Sequence, residues 1–172
     1  YTSMITLVFG RRAGLYAAEH ANRMHDCIVD TDQEYESVNQ AQSLINNNAG
    51  SYPDQVKMSI RNVLRQFGWV IKEENGLRKG LDEIREIRDN NPTFIGSSGI
   101  DLLNCFEAKN MLLTAELLLL GSIERKETRG AFFRDDYPSK DDTNWLRNIV
   151  YKRDADTITL THNVPDFNYV KP

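Results

Sequence analysis

Apolar residues recur at every third or fourth position through most of the chain, which is the spacing of one face of an α-helix. Short polar stretches rich in Asn, Gly and Pro interrupt this pattern and are typical of turns. The pattern predicts five helices, which cover residues 2–21, 31–45, 53–71, 77–90 and 100–126. Thr31 and Glu34 have capping-box spacing at the start of the second helix, and Pro53 suits the first position of the third. Asn75 and Gly76 are expected to form the turn before the fourth.

The longest predicted helix, residues 100–126, carries two apolar stripes. One consists of Leu103, Phe106, Leu113, Leu117 and Leu120, and the other of Ala108, Leu112, Ala115, Leu119 and Ile123. Two stripes indicate burial on two faces, so this helix is expected to be the central and most buried member of a bundle. Glu107 and Glu116 interrupt the stripes, either as carboxylates at the rim or as proton carriers. The rim is favoured because an unpaired Glu is rarely buried.

After Trp145 the spacing of the apolar residues changes to two, which is typical of a β-strand. Residues 146–152 and 157–162 are predicted to form a β hairpin with one covered face, turning at Asp154, Ala155 and Asp156. A tail with Phe167 and Tyr169 follows. The predicted fold is therefore mostly α, a three- to four-helix bundle like a spectrin repeat, with a small C-terminal β hairpin.

The composition is that of a globular protein. Of 172 residues, 40% are hydrophobic and 27% are charged, which suffices for one domain with a core. The net charge is −4 with basic residues spread among acidic ones, which argues against a nucleic-acid partner. The most apolar run, residues 111–120, is shorter than the roughly 20 residues of a membrane helix, so no transmembrane segment is expected. No secretory signal opens the chain, and because it starts with Tyr1 inside an apolar segment, a longer parent polypeptide is expected.

Residues that could carry out catalysis by themselves do not stand out. The sequence has no Gly-rich nucleotide fingerprint, P-loop or metal-ligand cluster. The three histidines, His20, His25 and His162, are scattered and are expected at the surface or at helix ends. Cys27 and Cys105 lie far apart, which favours reduced thiols with one disulfide as the alternative, and Cys105 is expected in the core. No catalytic residue and no metal ligand is assigned.

The stretch from Glu127 to Trp145 follows neither helix nor strand periodicity. It contains two arginines, four aspartates and four aromatic residues. Such a segment suits a rigid connector whose side chains reach another surface, and a catalytic loop is the less favoured alternative. Arg129 and Arg134 are expected to pair with carboxylates or carbonyl groups of the bundle or of another domain.

Residues 129–145 read Arg-Gly-Ala-Phe-Phe-Arg-Asp-Asp-Tyr-Pro-Ser-Lys-Asp-Asp-Thr-Asn-Trp. This segment resembles Arg-Gly-Ala-His-x-Arg-Glu-Asp-(Phe/Tyr)-Pro-x-Arg-Asp-Asp-x-Asn-Trp of the flavoprotein subunits of succinate dehydrogenase and fumarate reductase. It departs from that pattern at Phe132, Asp135 and Lys140, where the family has His, Glu and Arg. L-Aspartate oxidase has a related but shorter segment, so that enzyme is an alternative. Residues 8–14, Val-Phe-Gly-Arg-Arg-Ala-Gly, and the helix hairpin of residues 69–81 are similar to the same family.

The resemblance implies the C-terminal part of a FAD-dependent oxidoreductase that moves a hydride between flavin and a dicarboxylate. Residues 1–25 would be the terminal helix of an upstream FAD-binding domain, residues 26–145 the helical bundle with the Arg-Gly-Ala loop, and residues 146–172 the hairpin and tail. The start of the first helix, at Tyr1, Thr2 and Ser3, would point at the flavin, because a positive helix end favours its electron-rich reduced form.

The partners implied by the resemblance are the upstream FAD-binding and capping domains and an iron–sulfur subunit. The residues expected to contact them are Arg129, Arg134, Asp136, Tyr137 and Trp145. The catalytic residues would lie upstream, so this chain alone is expected to be inactive and unable to hold FAD. A cytoplasmic location is expected, with membrane contact only through partner subunits. A helical interaction module without a redox role is the remaining alternative.

Overall fold

The structure is a computed structural model that describes residues 2–24, 30–45, 47–96, 98–154 and 157–166. The predictions made for Tyr1, His25, Cys27, Ala155, Asp156, Phe167 and Tyr169 lie outside these ranges. The described helices and strands are, in chain order, α1 (Thr2–Arg23), α2 (Thr31–Leu44), α3 (Pro53–Phe67), β1 (Ile71–Lys72), α4 (Glu74–Asn90), α5 (Gly99–Glu124), β2 (Phe133–Arg134), α6 (Asp142–Trp145), β3 (Asn148–Asp154) and β4 (Thr157–Asn163). The chain divides into two compact units, Tyr1–Gln40 and Ala41–Pro172.

The first unit contains α1 and most of α2. The side chains of α1 are exposed from Ser3 to Arg23, and Met4 and Leu7 keep 73% and 74% of their surface. Oδ1 of Asp30 accepts hydrogen bonds from the N–H groups of Asp32 and Gln33 at 3.0 and 3.2 Å. Asp30 is therefore the N-cap of α2, and the prediction that Thr31 caps this helix is wrong because Thr31 is already helical.

The second unit is built on α3, α4 and α5, each of which packs against the other two. Its core contains one apolar stripe from each helix, with Ile60, Leu77 and Leu119 all 0% exposed. Each such side chain stabilises the fold by about 1.5–3 kcal/mol relative to an exposed position. The predicted mostly α fold, a helical bundle with a C-terminal β hairpin, is confirmed.

The prediction that α5 is covered on two faces is wrong. Ala108, Ala115 and Leu119 are at most 1% exposed, whereas Leu103 and Leu113 of the other stripe keep 59% and 37% of their surface. Because α3 and α4 are the helices that pack on α5 within this unit, they cover one arc of it. No helix in the described ranges, α5 included, is long and apolar enough to cross a membrane.

The two glutamates of α5 differ in their surroundings. Glu107 lies at the rim, as predicted, and accepts a hydrogen bond from Nζ of Lys57 at 3.0 Å. Glu116 is only 7% exposed, so its predicted position at the rim is wrong. Arg85 Nε and Arg88 Nη1 donate to its two oxygens at 2.9 Å each. The paired guanidinium groups offset the cost of burying this carboxylate.

Two predicted boundaries near β1 are wrong. α3 ends at Phe67 rather than reaching Ile71, so Val70 and Ile71 are exposed instead of lying in a helical stripe. α4 begins at Glu74, and the expected turn at residues 75–76 is its first helical turn. The carboxylate of Glu73 caps α4 by accepting from the N–H of Gly76 at 3.0 Å. On the exposed side of α4, Nη2 of Arg78 lies 2.6 Å from Oε1 of Glu74.

The strands form two small pairs. β3 and β4 form the predicted antiparallel hairpin, with Tyr151 opposite Leu160. Ile158 and Leu160 are partly buried while their neighbours in β4 are exposed, which confirms one covered face. β1 pairs in parallel with β2, an arrangement that two-residue strands do not reveal in sequence.

The predicted core position of Cys105 is confirmed, because its side chain is 0% exposed. Burial raises the pKa of its thiol.

Candidate functional site

The functional prediction rests on the segment that follows α5, residues 125–145, which we name the clamp loop. Thr128 closes this loop: its hydroxyl lies 2.9 Å from the carbonyl of Tyr137, and its oxygen accepts from the N–H of Arg134 at 3.0 Å. Arg129 and Phe132 exchange backbone hydrogen bonds across a tight turn in which Gly130 has a φ of +58°. The loop is therefore closed by hydrogen bonds of its own backbone and of one threonine.

Arg134 lies at the end of α5 and is 0% exposed. Its Nη1 donates to the carbonyl oxygens of Ser122, Ile123 and Arg125 at the end of α5. The last carbonyl groups of a helix have no partner within the helix and carry the negative end of its dipole. A guanidinium group at this position satisfies these acceptors and complements their charge.

Asp136 accepts hydrogen bonds from the other edge of the same guanidinium group. Nε and Nη2 of Arg134 donate to its two oxygens at 2.7 and 2.6 Å. Oδ2 also accepts from the N–H of Glu74 at 2.9 Å, at the positive end of α4. The hydrogen bonds from Arg134 hold the pKa of Asp136 below its usual range. The pair of Arg134 and Asp136 thus joins the C-terminal end of α5 to the N-terminal end of α4.

Tyr137 supports this pair through its ring. The guanidinium carbon of Arg134 lies 4.9 Å from the ring centroid of Tyr137, within the range of a cation–π contact. Three of the residues singled out from the sequence, Arg134, Asp136 and Tyr137, therefore form one group.

A second group of charges surrounds Glu127, which is 0% exposed. Its carboxylate accepts from Arg125 Nη1 at 2.6 Å, from Arg129 Nε and Nη2 at 2.7 and 2.9 Å, and from the N–H of Asp141 at 2.9 Å. Burial acts to raise the pKa of Glu127, but these hydrogen bonds outweigh it and keep the pKa below its usual range. Glu127 is therefore a buried anion that fixes the orientation of two arginines.

Arg129 reaches from this buried carboxylate to the surface. Its Nη2 also donates to Oδ1 of Asp142 at 2.7 Å, and Lys140 lies 2.6 Å from the other oxygen of Asp142. The side chain of Arg129 stays 29% exposed, in contrast to that of Arg134. The sequence analysis gave Arg125 and Glu127 no role, although Arg125, Glu127 and Arg129 stand at every second position, which was a usable signal.

Trp145 connects the clamp loop with the hairpin. The guanidinium carbon of Arg125 lies 5.6 Å from the ring centroid of Trp145, and the same side chain donates to the carbonyl oxygens of Trp145 and Arg147. The ring of Trp145 also meets the ring of His162 edge-on at 5.6 Å. Whether Arg129, Tyr137 and Trp145 contact another domain stays a prediction.

The flavin-facing residues predicted at the start of the chain are described only in part. α1 begins at Thr2, and the carbonyl of Ser3 accepts from the hydroxyl of Thr6 at 2.9 Å. The first N–H groups of a helix can meet one edge of a flavin. Because the sequence has no Gly-rich turn for a pyrophosphate, these residues fit an edge contact and not a complete FAD site.

The fold and the clamp loop define a helical domain stabilised by buried ion pairs. Among the residues that the structure describes, no group of His, Cys, Asp or Glu could hold a metal ion. Residues 57–172 match the family model described as fumarate reductase flavoprotein C-terminal, and the chain belongs to this family.

Curated relatives carry the names of flavoenzymes. The chain is 31% identical over 147 residues to an uncharacterized FAD-dependent oxidoreductase of Methanocaldococcus jannaschii, which covers 86% of this chain and 27% of the relative. It is 24% identical over 120 residues to an L-aspartate oxidase of Streptomyces coelicolor, which covers 67% of this chain and 21% of the relative. Flavoprotein subunits of fumarate reductase and succinate dehydrogenase also match. The chain thus spans less than a third of the length of these relatives.

The same fold occurs in a solved structure of E. coli quinol fumarate reductase. The TM-score is 0.84 at 24% identity, and the match covers 96% of this chain and 30% of that chain.

Proposed function

We propose that the chain is the C-terminal helical part of a FAD-dependent oxidoreductase of the succinate dehydrogenase and fumarate reductase type. The observation that carries this proposal is the family match over residues 57–172, which includes the whole clamp loop. When bound, FAD supplies hydride transfer to or from a dicarboxylate, and the residues that handle the substrate lie upstream of this chain.

The chain's own residues support the flavin-binding part and do not carry out the chemistry. In this proposal residues 1–25 complete the FAD-binding domain, and the N–H groups at Tyr1, Thr2 and Ser3 face the flavin. Such a helix end contributes about 0.3–1 kcal/mol near the surface, which orients a flavin edge but does not hold a dinucleotide.

The clamp loop is the proposed contact surface toward the upstream FAD-binding and capping domains and an iron–sulfur subunit that collects electrons. Arg129, Tyr137 and Trp145 keep part of their surface exposed. Asp136 is exposed as well, and together with the buried Arg134 it fixes the loop to the ends of α4 and α5. We place the enzyme in the cytoplasm, reaching a membrane only through partner subunits.

The proposal is tested on the purified parent polypeptide. We expect a yellow protein with flavin absorbance that oxidises succinate with an artificial electron acceptor or reduces fumarate with a reduced dye. A colourless parent without either activity would instead favour a helical interaction module.

The second candidate is an L-aspartate oxidase-like enzyme, which the Streptomyces coelicolor relative favours. It would share the fold and FAD but oxidise L-aspartate with oxygen or fumarate as the acceptor. Assaying the same preparation with L-aspartate under air separates the two, because only the second candidate produces hydrogen peroxide from L-aspartate.

The supporting role of the clamp loop is tested with Arg134→Lys in the parent polypeptide. A lysine ammonium cannot donate to three carbonyl groups and to both oxygens of Asp136, so we expect a lower melting temperature and loss of flavin. Arg78→Lys, on the exposed side of α4, is the matched control and should change neither. Equal flavin content and melting temperature in both variants would contradict the supporting role.

A further inference from the structure

An open cleft of about 530 Å³ lies between the end of α5, the clamp loop and β3. Its apolar side is formed by Leu118, Phe132 and Ile149, and Leu118 is 41% exposed. Among the described residues that line the cleft, the charged ones are both arginines, Arg125 and Arg129. The lining therefore presents cations beside an apolar wall.

The two arginines are oriented in advance. Glu127 holds both guanidinium groups from the buried side, and the ring of Trp145 lies against the guanidinium group of Arg125. Binding of a ligand costs the two arginines little side-chain entropy, because their rotamers are already fixed. Nη1 of Arg129 forms no hydrogen bond to the described residues, so this group keeps donors for a further acceptor.

The charge of the cleft selects its occupant. Glu127 and Asp142 already neutralise part of the positive charge of the two guanidinium groups. A small free anion therefore gains little from electrostatics alone. A carboxylate attached to an apolar body gains both a charge-assisted hydrogen bond to Arg129 and burial against Leu118 and Ile149. An acidic side chain next to an apolar side chain in a polypeptide has this chemistry.

We propose that the cleft receives a segment of the upstream part of the parent polypeptide, which places an Asp or Glu carboxylate on Arg129 and a neighbouring apolar side chain against Leu118 and Ile149. This inference rests on the proposed function, in which the chain is joined to upstream domains. It adds the site and the chemistry of that contact.

The test converts the proposed ion pair into a covalent bond in the parent polypeptide. Arg129→Lys keeps the cation and supplies an amine, which a carbodiimide joins to a carboxylate in direct contact as an amide while the reagent takes up the water. Peptide mass spectrometry then identifies the acid joined to residue 129. We expect one acidic residue upstream of this chain, in addition to links to Glu127 and Asp142.

Asn148→Lys places an amine on the same cleft from β3 and provides the test if the first variant does not fold. Arg78→Lys on α4 is the control and should link to Glu74 and to no upstream acid. Mixing isotope-labelled and unlabelled protein separates links within one chain from links between copies.

Links to Glu127 and Asp142 alone would overturn the inference, and so would a link to a second copy or to another subunit. Flavin content and dicarboxylate activity are measured on the unmodified parent. A yellow, active parent without the upstream link therefore removes the inference and leaves the proposed function, whereas a colourless, inactive parent removes the function itself.

Discussion

At the residue scale, the fold accommodates fully buried charges because each one lies next to groups of opposite charge. Moving an unpaired charge out of water costs several kcal/mol, so Arg134 needs compensation. It receives carbonyl groups from the negative end of α5 and the carboxylate of Asp136, which itself lies at the positive end of α4. One ion pair therefore connects two helix dipoles.

This arrangement predicts a specific pH dependence. The pKa of Asp136 is lowered in the folded state, so its contribution to stability is complete above its unfolded pKa of about 3.9 and is lost as the pH falls through the lower folded value. Asp136→Asn should reduce the free energy of unfolding by about 1–2 kcal/mol near neutral pH, because the buried Arg134 loses a charged partner whose own carboxylate is partly open to water. That difference should begin to shrink as the pH falls below about 3.9 and should keep shrinking as the pH approaches the folded pKa.

Urea unfolding of the wild type and Asp136→Asn, near neutral pH and near about pH 3, measures this decrease. Asp82→Asn, at an exposed position of α4, is the control and should behave like the wild type at both. A difference that stays constant with pH would show that the carboxylate charge does not stabilise the clamp loop.

For the clamp loop, the sequence indicated which residues matter but not how deeply each one is buried. Composition and resemblance singled out Arg134 and Asp136, but no sequence pattern says that Arg134 is fully buried while Arg129 stays at the surface. The difference in burial arises at the end of α5, where free carbonyl groups accept hydrogen bonds from Arg134. Glu127 was missed for the same reason, since a buried and an exposed glutamate look alike in sequence.

At the element scale, α5 depends on one face. Leu119 is 0% exposed, whereas Leu117 belongs to the stripe that the bundle leaves partly open. Leu119→Ala should reduce the free energy of unfolding by about 2–5 kcal/mol through lost burial and a cavity, and Leu117→Ala should cost clearly less. Chemical denaturation of both variants decides this, and equal losses would mean that both faces of α5 are covered.

The hairpin depends on one glycine of α5. The hydroxyl of Tyr151 donates to the carbonyl of Leu117 at 2.8 Å, directly over Gly121, where a Cβ would overlap it. Replacing a helical glycine by alanine normally stabilises by roughly 0.5–1 kcal/mol. Gly121→Ala should instead destabilise the chain, because Tyr151 must move away from α5.

Gly10→Ala is the matched control, since a Cβ on Gly10 in α1 meets no atom within 4 Å. It should raise helicity or leave it unchanged in circular dichroism, while Gly121→Ala lowers the midpoint of urea unfolding. A stabilising effect of Gly121→Ala would show that the hairpin is not seated on α5 through Tyr151.

Helices were predictable where an apolar period runs for several turns, as in α4 and α5. The end of α3 was misplaced because Val70 and Ile71 continue the apolar spacing past Gly68 although the helix has stopped. The position of Glu116 was also misjudged, since its partners Arg85 and Arg88 lie on a different helix. Contacts between elements decide these cases, and a local pattern does not contain them.

At the scale of the whole molecule, we propose that this domain completes a flavoenzyme without carrying the flavin chemistry itself. Its bundle, clamp loop and hairpin are linked by contacts within residues 41–172. The chain spans 27% of the Methanocaldococcus jannaschii relative, and in our proposal the flavin chemistry belongs to the part of the parent polypeptide upstream of this chain.

Titration of FAD into the 172-residue chain, followed by flavin fluorescence, tests whether the chain can hold the cofactor by itself. Circular dichroism confirms that the sample is helical, and the parent polypeptide serves as the positive control. We expect no saturable binding at micromolar FAD, because a helix end offers about 0.3–1 kcal/mol and the sequence has no phosphate-binding turn. Binding at micromolar affinity or tighter, about −8 kcal/mol, would show that the chain holds a complete cofactor site and would contradict our proposal.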